Sequence, residues 1–262
     1  MKTNILVVGD VVGSSGRDIL IRRLPDITEE YRIDLAVVNG ENAAGGFGIT
    51  PKIADELFRT GVHVITTGNH VWDKREVMDY ITGESRLLRP ANYPAGVPGS
   101  GSVVVGLGRG LKVAVLNLMG RVFMPGTDCP FQVGRREVEN LRRETPLIVV
   151  DLHAEATSEK SAVGWYLDGN VTAVVGTHTH VQTADEQILP GGTAFISDVG
   201  MTGPYRSVIG INKDLAVKKF LNQMPARFEV AGGPALLSAV VIRADSETGR
   251  ALEIHRLQIK DT

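Results

Sequence analysis

Short apolar runs alternate with helix-like segments along the first two thirds of the chain, and this alternation restricts the fold most strongly. Three of the runs lie at residues 4–9, 34–39 and 62–66. Continuous apolar runs of this length are typical of strands that are buried on both faces, as in parallel sheets. Because helical patterns separate the runs, the sequence predicts an α/β fold.

Later parts of the chain continue the pattern and then change it. Further strands are predicted at residues 102–106, 111–118, 147–152, 171–175, 193–196, 236–242 and 252–259, and helices at 17–30, 73–82, 135–143, 158–167 and 213–223. Ser14 or Ser15 is a candidate cap for the first helix, and Thr50 before Pro51 caps another. The last two strands follow one another directly, which favours antiparallel pairing. Without a repeat or a long linker, residues 1–262 are interpreted as one domain.

Composition excludes several classes of protein. The chain has 28 Lys and Arg residues against 30 Asp and Glu, a net charge of −2, so it does not bind nucleic acid through bulk positive charge. The single cysteine, Cys129, cannot form an internal disulfide, which fits a reducing cytoplasm. Neither a signal-peptide pattern nor an apolar run of about 18 residues is present, so we expect a cytoplasmic protein without membrane spans.

Polar residues of the kinds that bind metal ions follow five of the predicted strands. In an open α/β sheet, ligands bind outside the carboxyl ends of the strands, so we expect these side chains to meet at one edge. The set contains four of the six histidines. Its members are Asp10, Glu41, Asn42, Asn69, His70, His153, His178 and His180.

Taken singly, most of these residues have ordinary explanations. An Asp or Asn after a strand is usually a turn former, and a lone His153 is more often a hydrogen-bonded loop residue than a ligand. His178 and His180 are a stronger signal, because residues two apart on an extended segment point the same way. Turn chemistry alone rarely places ligand-type residues at five strand ends, so the combination predicts a metal site.

The number of donors favours two metal ions over one. Without His70, the set has seven side chains. Seven are too many for one tetrahedral zinc, and they suit two ions that share a carboxylate. Mixed nitrogen and oxygen donors favour iron, manganese or zinc over magnesium and calcium. Only Asp10 and Glu41 are anionic, so two divalent ions would leave a charge of about +2, which attracts phosphate.

At these residues the sequence resembles the calcineurin-like metallophosphoesterase superfamily, and more closely its YmdB-like branch of bacterial phosphodiesterases. The superfamily commonly has a histidine two residues after the first Asp, where this chain has Val12. In the YmdB-like branch that histidine is absent and the bridging acid is a Glu followed by Asn, as in Glu41-Asn42. The matching segments span nearly the whole chain: GDVVG (9–13), NGENAAGG (39–46), TGNHVWD (67–73), RPANYP (89–94), GTHTHVQT (176–183) and DVGMTG (198–203).

The resemblance implies a four-layer α-β-β-α sandwich with mixed sheets and a centre that holds two metal ions, iron first, with manganese or zinc as alternatives. A hydroxide between the ions would attack phosphorus. His70 would bind neither ion and would act as general acid or as a stabiliser of the transition state. Asp10, Glu41, Asn42 and His180 would hold one ion, and Glu41, Asn69, His153 and His178 the other.

The function implied is that of a phosphodiesterase acting on small phosphodiesters such as 2′,3′-cyclic nucleotides. Two alternatives stay open: a phosphomonoesterase acting on nucleotides or phosphoproteins, and a regulatory metal-binding protein whose partner contacts matter more than catalysis. The sequence leaves open the native substrate, the metal used in the cell, and whether the chain forms a homo-oligomer.

Overall fold

The computed structural model of the chain describes residues 1–225 and 227–261. Its helices are α1 (Gly13–Tyr31), α2 (Pro51–Arg59), α3 (Val77–Gly83), α4 (Pro130–Leu141), α5 (Thr157–Leu167) and α6 (Lys213–Asn222), with one 3-10 turn at Gly108–Gly110. Its strands are β1 (Lys2–Val8), β2 (Asp10–Val11), β3 (Leu35–Asn39), β4 (Val64–Thr66), β5 (Ser102–Gly106), β6 (Lys112–Met119), β7 (Ile148–His153), β8 (Ala173–Thr177), β9 (Gln187–Ile188), β10 (Ala194–Ile196), β11 (Met201–Pro204), β12 (Ala235–Asp245) and β13 (Ala251–Lys260).

The strands form two mixed sheets. The first has the order β2-β11-β12-β1-β3-β4, with β13 also paired to β12, and the second has the order β5-β6-β7-β8-β10-β9. Strands β1, β3 and β4 run parallel, as do β6, β7, β8 and β10. The long strands β12 and β13 pair antiparallel, which confirms the prediction made from their adjacency in sequence.

Side-chain alternation along the strands produces four layers. In β1, Leu6 and Val8 pack with apolar residues of α1, α2 and α3, whereas Ile5 and Val7 face a core shared with the second sheet. The far side of the second sheet packs against α4 and α5, with Leu118 of β6 in that core. Because successive residues of a strand point to opposite faces, both sheets are covered on each side. The predicted α-β-β-α sandwich is therefore confirmed.

The start of α1 differs from the prediction that Ser14 or Ser15 caps it. The helix begins at Gly13, and the preceding Val12 makes no side-chain cap. Backbone bonds to neighbouring segments fix this start, because Val12 N–H donates to the Thr202 carbonyl at 2.8 Å. The predicted cap of α2 is confirmed.

That cap uses the hydroxyl of Thr50, which accepts a hydrogen bond from the Ile53 N–H at 3.3 Å.

Three strands that the sequence did not predict, β2, β9 and β11, are only two to four residues long. Runs this short cannot show a periodic pattern of apolar residues. They form strands by pairing with neighbours, as Asp10 of β2 does with Met201 of β11.

The two sheets meet at the carboxyl ends of their parallel strands. Asn39, the last residue of β3, donates from its side-chain amide to the Asp151 carboxylate of β7 at 3.1 Å. The loops that leave β1, β3 and β4 in one sheet and β7 and β8 in the other therefore gather at this edge. Within the part of the chain that the structure describes, no helix has the length and apolar character needed to cross a bilayer.

Candidate metal centre

Three donor atoms crowd around Nε2 of His153. The Glu41 Oε1 atom lies 3.0 Å away, the Asn69 side-chain oxygen 3.1 Å away and Nδ1 of His178 3.0 Å away. An imidazole nitrogen carries either one hydrogen or one lone pair, so it cannot bond to all three neighbours at once. A cation among the four atoms would accept a lone pair from each of them, and Glu41, His153 and His178 are close enough together to hold one.

A second group of donors surrounds Asp10. Its Oδ1 atom is buried and has no hydrogen-bond partner among the described residues. It lies 4.0 Å from Nε2 of His180 and 3.8 Å from Nδ1 of His153. The side-chain oxygen of Asn42 is also buried and unpartnered, while its amide donates to the Gly46 carbonyl at 2.9 Å. Buried oxygen atoms seldom lack a partner, so each of these two oxygens is a candidate ligand of a second cation.

The three histidines of the centre share one hydrogen-bonding pattern. Each has one ring nitrogen beside an oxygen outside the centre, which leaves the lone pair of the other nitrogen directed at the donors described above. Outer partners of this kind fix the tautomer and orientation of metal-binding histidines. The partners are the Thr177 hydroxyl for Nδ1 of His153 (3.0 Å), Glu155 Oε2 for Nε2 of His178 (3.1 Å) and the Ile209 carbonyl for Nδ1 of His180 (2.8 Å).

Burial perturbs the titration of these groups strongly. It raises the pKa of Asp10 to about 6, although His180 and His153 act in the opposite direction. Burial, together with repulsion from His153, lowers the pKa of His178 to about 3. Burial also disfavours the charged form of Glu41, but attraction and hydrogen bonding from His153 outweigh it and lower the pKa of Glu41. A bound cation would favour the deprotonated form of each of these ligands.

The His178–His180 loop does not have the extended backbone that the sequence predicted. Strand β8 ends at Thr177, and both histidines have left-handed backbones, with φ of 100° for His178 and 67° for His180. Non-glycine residues adopt this region infrequently, and such strain concentrates at functional sites. The two imidazoles therefore reach the centre by loop geometry and not by strand alternation.

A buried ion pair fixes the His178–His180 loop. Lys160 of α5 donates to Asp198 Oδ2 at 2.7 Å, and both side chains are almost completely buried. The same oxygen accepts hydrogen bonds from the backbone N–H and the hydroxyl of Thr179, at 3.0 and 2.7 Å. Asp198 thereby holds the residue between the two histidines in place.

A second buried carboxylate, Asp151, lies behind His153. The Thr177 hydroxyl donates to Asp151 Oδ1 at 2.7 Å and accepts from Nδ1–H of His153, which leaves the Nε2 lone pair facing the centre. Asn39 and Thr66 donate to the other carboxylate oxygen. Burial raises the pKa of Asp151, and the hydrogen bonds from these neighbours oppose that shift.

His70 lies on the wall of a cleft of about 310 Å³ that opens onto the centre. Its backbone N–H donates to Glu41 Oε2 at 3.3 Å, and its Nδ1 lies 2.8 Å from Asp73 Oδ2. The ring of Phe47 packs edge-on against the imidazole, with centroids 5.0 Å apart. Glu155 also lines the cleft, so His70 and Glu155 both border the space that a substrate would enter.

Five of the eight residues singled out from the sequence line this cleft: Glu41, Asn42, His70, His178 and His180. The other three lie beside them, with Asp10 4.0 Å from His180, and His153 within 3.1 Å of both His178 and Asn69. Sequence reasoning missed their supporting residues, above all Asp151, Thr177, Glu155 and Asp198. Asp151 carried a usable signal, since it stands two residues before His153 on the same strand and therefore on the same face. Asp198 begins the matching segment 198–203, although nothing in that segment indicates its contact with Thr179. Glu155 carried no signal, because only the folded loops bring it close.

Known proteins are similar to this chain over nearly its full length. The family model described as YmdB-like protein matches residues 6–257. A 2′,3′-cyclic-nucleotide 2′-phosphodiesterase of Bacillus subtilis (strain 168) is 49% identical over 257 residues, which cover 98% of this chain and 97% of the relative.

Two solved structures are also similar. One is a hypothetical protein from Thermus thermophilus, with a TM-score of 0.92 and 39% identity over 99% of this chain and 100% of that one. The other is described as a novel phosphatase of Mycoplasma pneumoniae, with a TM-score of 0.93 and 36% identity over 99% of this chain and 94% of that one. With the family model, these relatives show that the chain belongs to the YmdB-like family.

Proposed function

We propose that this chain is a metal-dependent phosphodiesterase that hydrolyses small phosphodiesters, foremost 2′,3′-cyclic nucleotides, at a centre with two metal ions. The name of the Bacillus subtilis relative supports the reaction. The main support for the metal centre is that Glu41, Asn69 and His178 all lie within 3.1 Å of one nitrogen of His153. A cation shared by these atoms accounts for all of these close approaches together.

The geometry and the family pattern support two ligand sets. Glu41 contacts His153, and its charge contributes to the raised pKa of Asp10, so it lies near both groups of donors and is the natural bridge. Iron is the first expectation, with manganese or zinc as alternatives. Asp10, Glu41, Asn42 and His180 would hold one ion, and Glu41, Asn69, His153 and His178 the other.

When bound, two such ions supply charge neutralisation for the phosphate and a water molecule of lowered pKa. In the hydrolysis of a 2′,3′-cyclic nucleotide, a water oxygen bonds to phosphorus and the P–O2′ bond breaks. The departing O2′ takes up a proton, which leaves a free 2′-hydroxyl and a 3′-phosphate. General acid catalysis of such a step typically contributes about 10²–10⁴-fold.

His70 is the residue we assign to that proton. Asp73 holds its Nδ1 at 2.8 Å, so the ring is fixed and Nε2 is the nitrogen that exchanges a proton with the substrate. The Glu41 contact to the His70 backbone joins this residue to the metal centre. The acid and the ligands therefore keep a fixed spacing.

The test compares Glu41→Gln and His70→Ala with the wild-type enzyme after loading with Mn²⁺ or Fe²⁺, with adenosine 2′,3′-cyclic phosphate as substrate. Both variants should lose at least about 10²-fold in kcat. Glu139→Gln and His255→Ala are matched controls, since both side chains are about 60% exposed on other elements. Unchanged turnover in both site variants would rule the proposal out.

A phosphomonoesterase is the second candidate, because the similar Mycoplasma structure is described as a phosphatase. Parallel kcat/KM measurements on adenosine 3′-phosphate and on the cyclic diester separate the two. A preference for the monoester would favour this alternative over the diesterase.

A further inference from the structure

A second cavity, of about 580 Å³, adjoins the cleft of the metal centre. Ile209, Ile211 and Phe228 line both spaces. The second cavity therefore lies directly beside the space in which a substrate phosphate would meet the metal centre. Together the two spaces fall within the size range of small-molecule sites.

The wall between the two spaces is tied to the metal centre. The Ile209 carbonyl accepts the hydrogen bond from Nδ1 of His180, at 2.8 Å. Val208 and Ile211 close the turn around it with paired backbone hydrogen bonds of 2.9 Å each. Because of these bonds, the mouth of the second cavity has a fixed position relative to the ligands of the centre.

The lining of the second cavity differs in chemistry from the metal centre. It is apolar and aromatic, with Phe220 and Phe228 among its walls, and no carboxylate lines it within the described part of the chain. Lys219 and Gln223 are its polar side chains, and the Lys219 ammonium lies 4.3 Å from the Phe228 ring. Such a space suits a flat group with apolar faces and hydrogen-bonding edges.

We infer that the second cavity is a base-binding subsite, which takes the purine or pyrimidine of a nucleotide while the cyclic phosphate lies at the metal centre. This inference rests on the proposed function. The phosphate and ribose alone would leave the apolar walls uncovered, whereas a base stacks on aromatic side chains and its edge atoms accept from Lys219 or Gln223. The subsite would make the enzyme prefer nucleotides to diesters without a base.

The alternative occupant of this face is a second copy of the chain. Helix α6 also exposes Val217 and Leu221, which do not line the cavity. The three side chains that the cavity shares with the cleft of the metal centre favour the base, since a contact between copies would not need to share walls with that cleft. The experiment below separates the two occupants.

The decisive variant is Phe220→Ala, because Phe220 lines the second cavity and not the cleft of the metal centre. Its 81% exposure makes the change compatible with folding. Leu221→Ala is the matched control, equally exposed on the same helix. The substrates are adenosine 2′,3′-cyclic phosphate and the methyl riboside 2,3-cyclic phosphate, which has no base. We expect Phe220→Ala to raise KM about fivefold to tenfold for the first substrate only, with kcat nearly unchanged.

Binding gives a readout that does not depend on turnover. Calorimetric titration of the manganese-loaded protein with adenosine 3′-phosphate should show the same loss for Phe220→Ala, while the affinity for inorganic phosphate stays as in wild type. Equal KM changes on both substrates, or no loss of affinity in either assay, would overturn the subsite.

A change of sedimentation in both α6 variants without any change in KM or affinity would assign the face to a second copy. A wild-type protein that binds the nucleotide but cleaves neither diester would refute the proposed function and leave the subsite standing.

Discussion

At the scale of single residues, the centre tolerates almost no added volume. A Cβ atom at Gly68 would overlap both the His153 ring and Glu41 Oε2, at distances well under 3.0 Å. Such an overlap forces the two ligands apart, so glycine is required here by close approach and not by backbone conformation. Asn69 and His70 follow directly, and the turn that carries them can approach the centre only because Gly68 has no side chain.

Gly68→Ala should therefore disable the enzyme. Displacement of His153 and Glu41 by about 1 Å can cost about 10²-fold in rate, so we expect a loss of kcat/KM of that order on the cyclic nucleotide. Gly83→Ala is the control, since a Cβ there meets no atom within 4 Å. Full activity of Gly68→Ala, with a normal urea unfolding curve, would show that the ligands are not held as tightly as the geometry indicates.

At the scale of elements, two parallel strands of the second sheet fix the orientation of His153. Strand β7 supplies Asp151 and His153 on one face, and the last residue of β8, Thr177, stands between them. The hydroxyl is the single link from carboxylate to imidazole in this chain of hydrogen bonds. Its removal would take a hydrogen-bond partner from two buried atoms, Asp151 Oδ1 and His153 Nδ1.

Thr177→Val should weaken metal binding while conserving side-chain shape. We expect the affinity for Mn²⁺, measured by calorimetry on the metal-free protein, to fall about 10–100-fold. Thr177→Ser keeps the hydroxyl and should restore the affinity. If serine and valine weaken binding equally, the hydroxyl has no positioning role and the contact serves packing alone.

Sequence alone predicted the long elements and the ligand-bearing strand ends. The runs around Val37 and Val149 are continuous and apolar, so their strands were found and the polar residues that follow them could be placed at one edge. The short strands β2 and β11 could not be found, because their pairing comes from the fold. The left-handed backbones of His178 and His180 were missed for a related reason, since the buried Asp198 that holds Thr179 is distant in sequence.

The second cavity also lay outside what the sequence could predict. Its walls come from the turn at Ile209, from α6 and from Phe228, none of which shows a pattern that differs from ordinary packing. Only the folded chain brings these residues beside His180.

At the scale of the whole molecule, the proposed metal centre lies where the two sheets meet. Asp10, Glu41 and Asn69 follow strands of the first sheet, while His153 and His178 come from the second. Metal ions would therefore join the two sheets. The two sheets also share a hydrophobic core, which supports the interpretation of residues 1–262 as one domain. That interpretation stays a prediction. Ions that bind only the folded state also raise its stability against unfolding.

The metal content of the purified chain tests the centre most directly. The protein is stripped with a chelator, reloaded with Mn²⁺ or with Fe²⁺ under anaerobic conditions, desalted and measured by inductively coupled plasma mass spectrometry against protein concentration. Two transition-metal ions per chain are expected for the wild type, and a clear loss for His153→Ala, with His255→Ala retaining both. Less than one ion per chain after loading with either metal, or an undiminished content in His153→Ala, would contradict the proposal that these seven side chains hold a pair of metal ions.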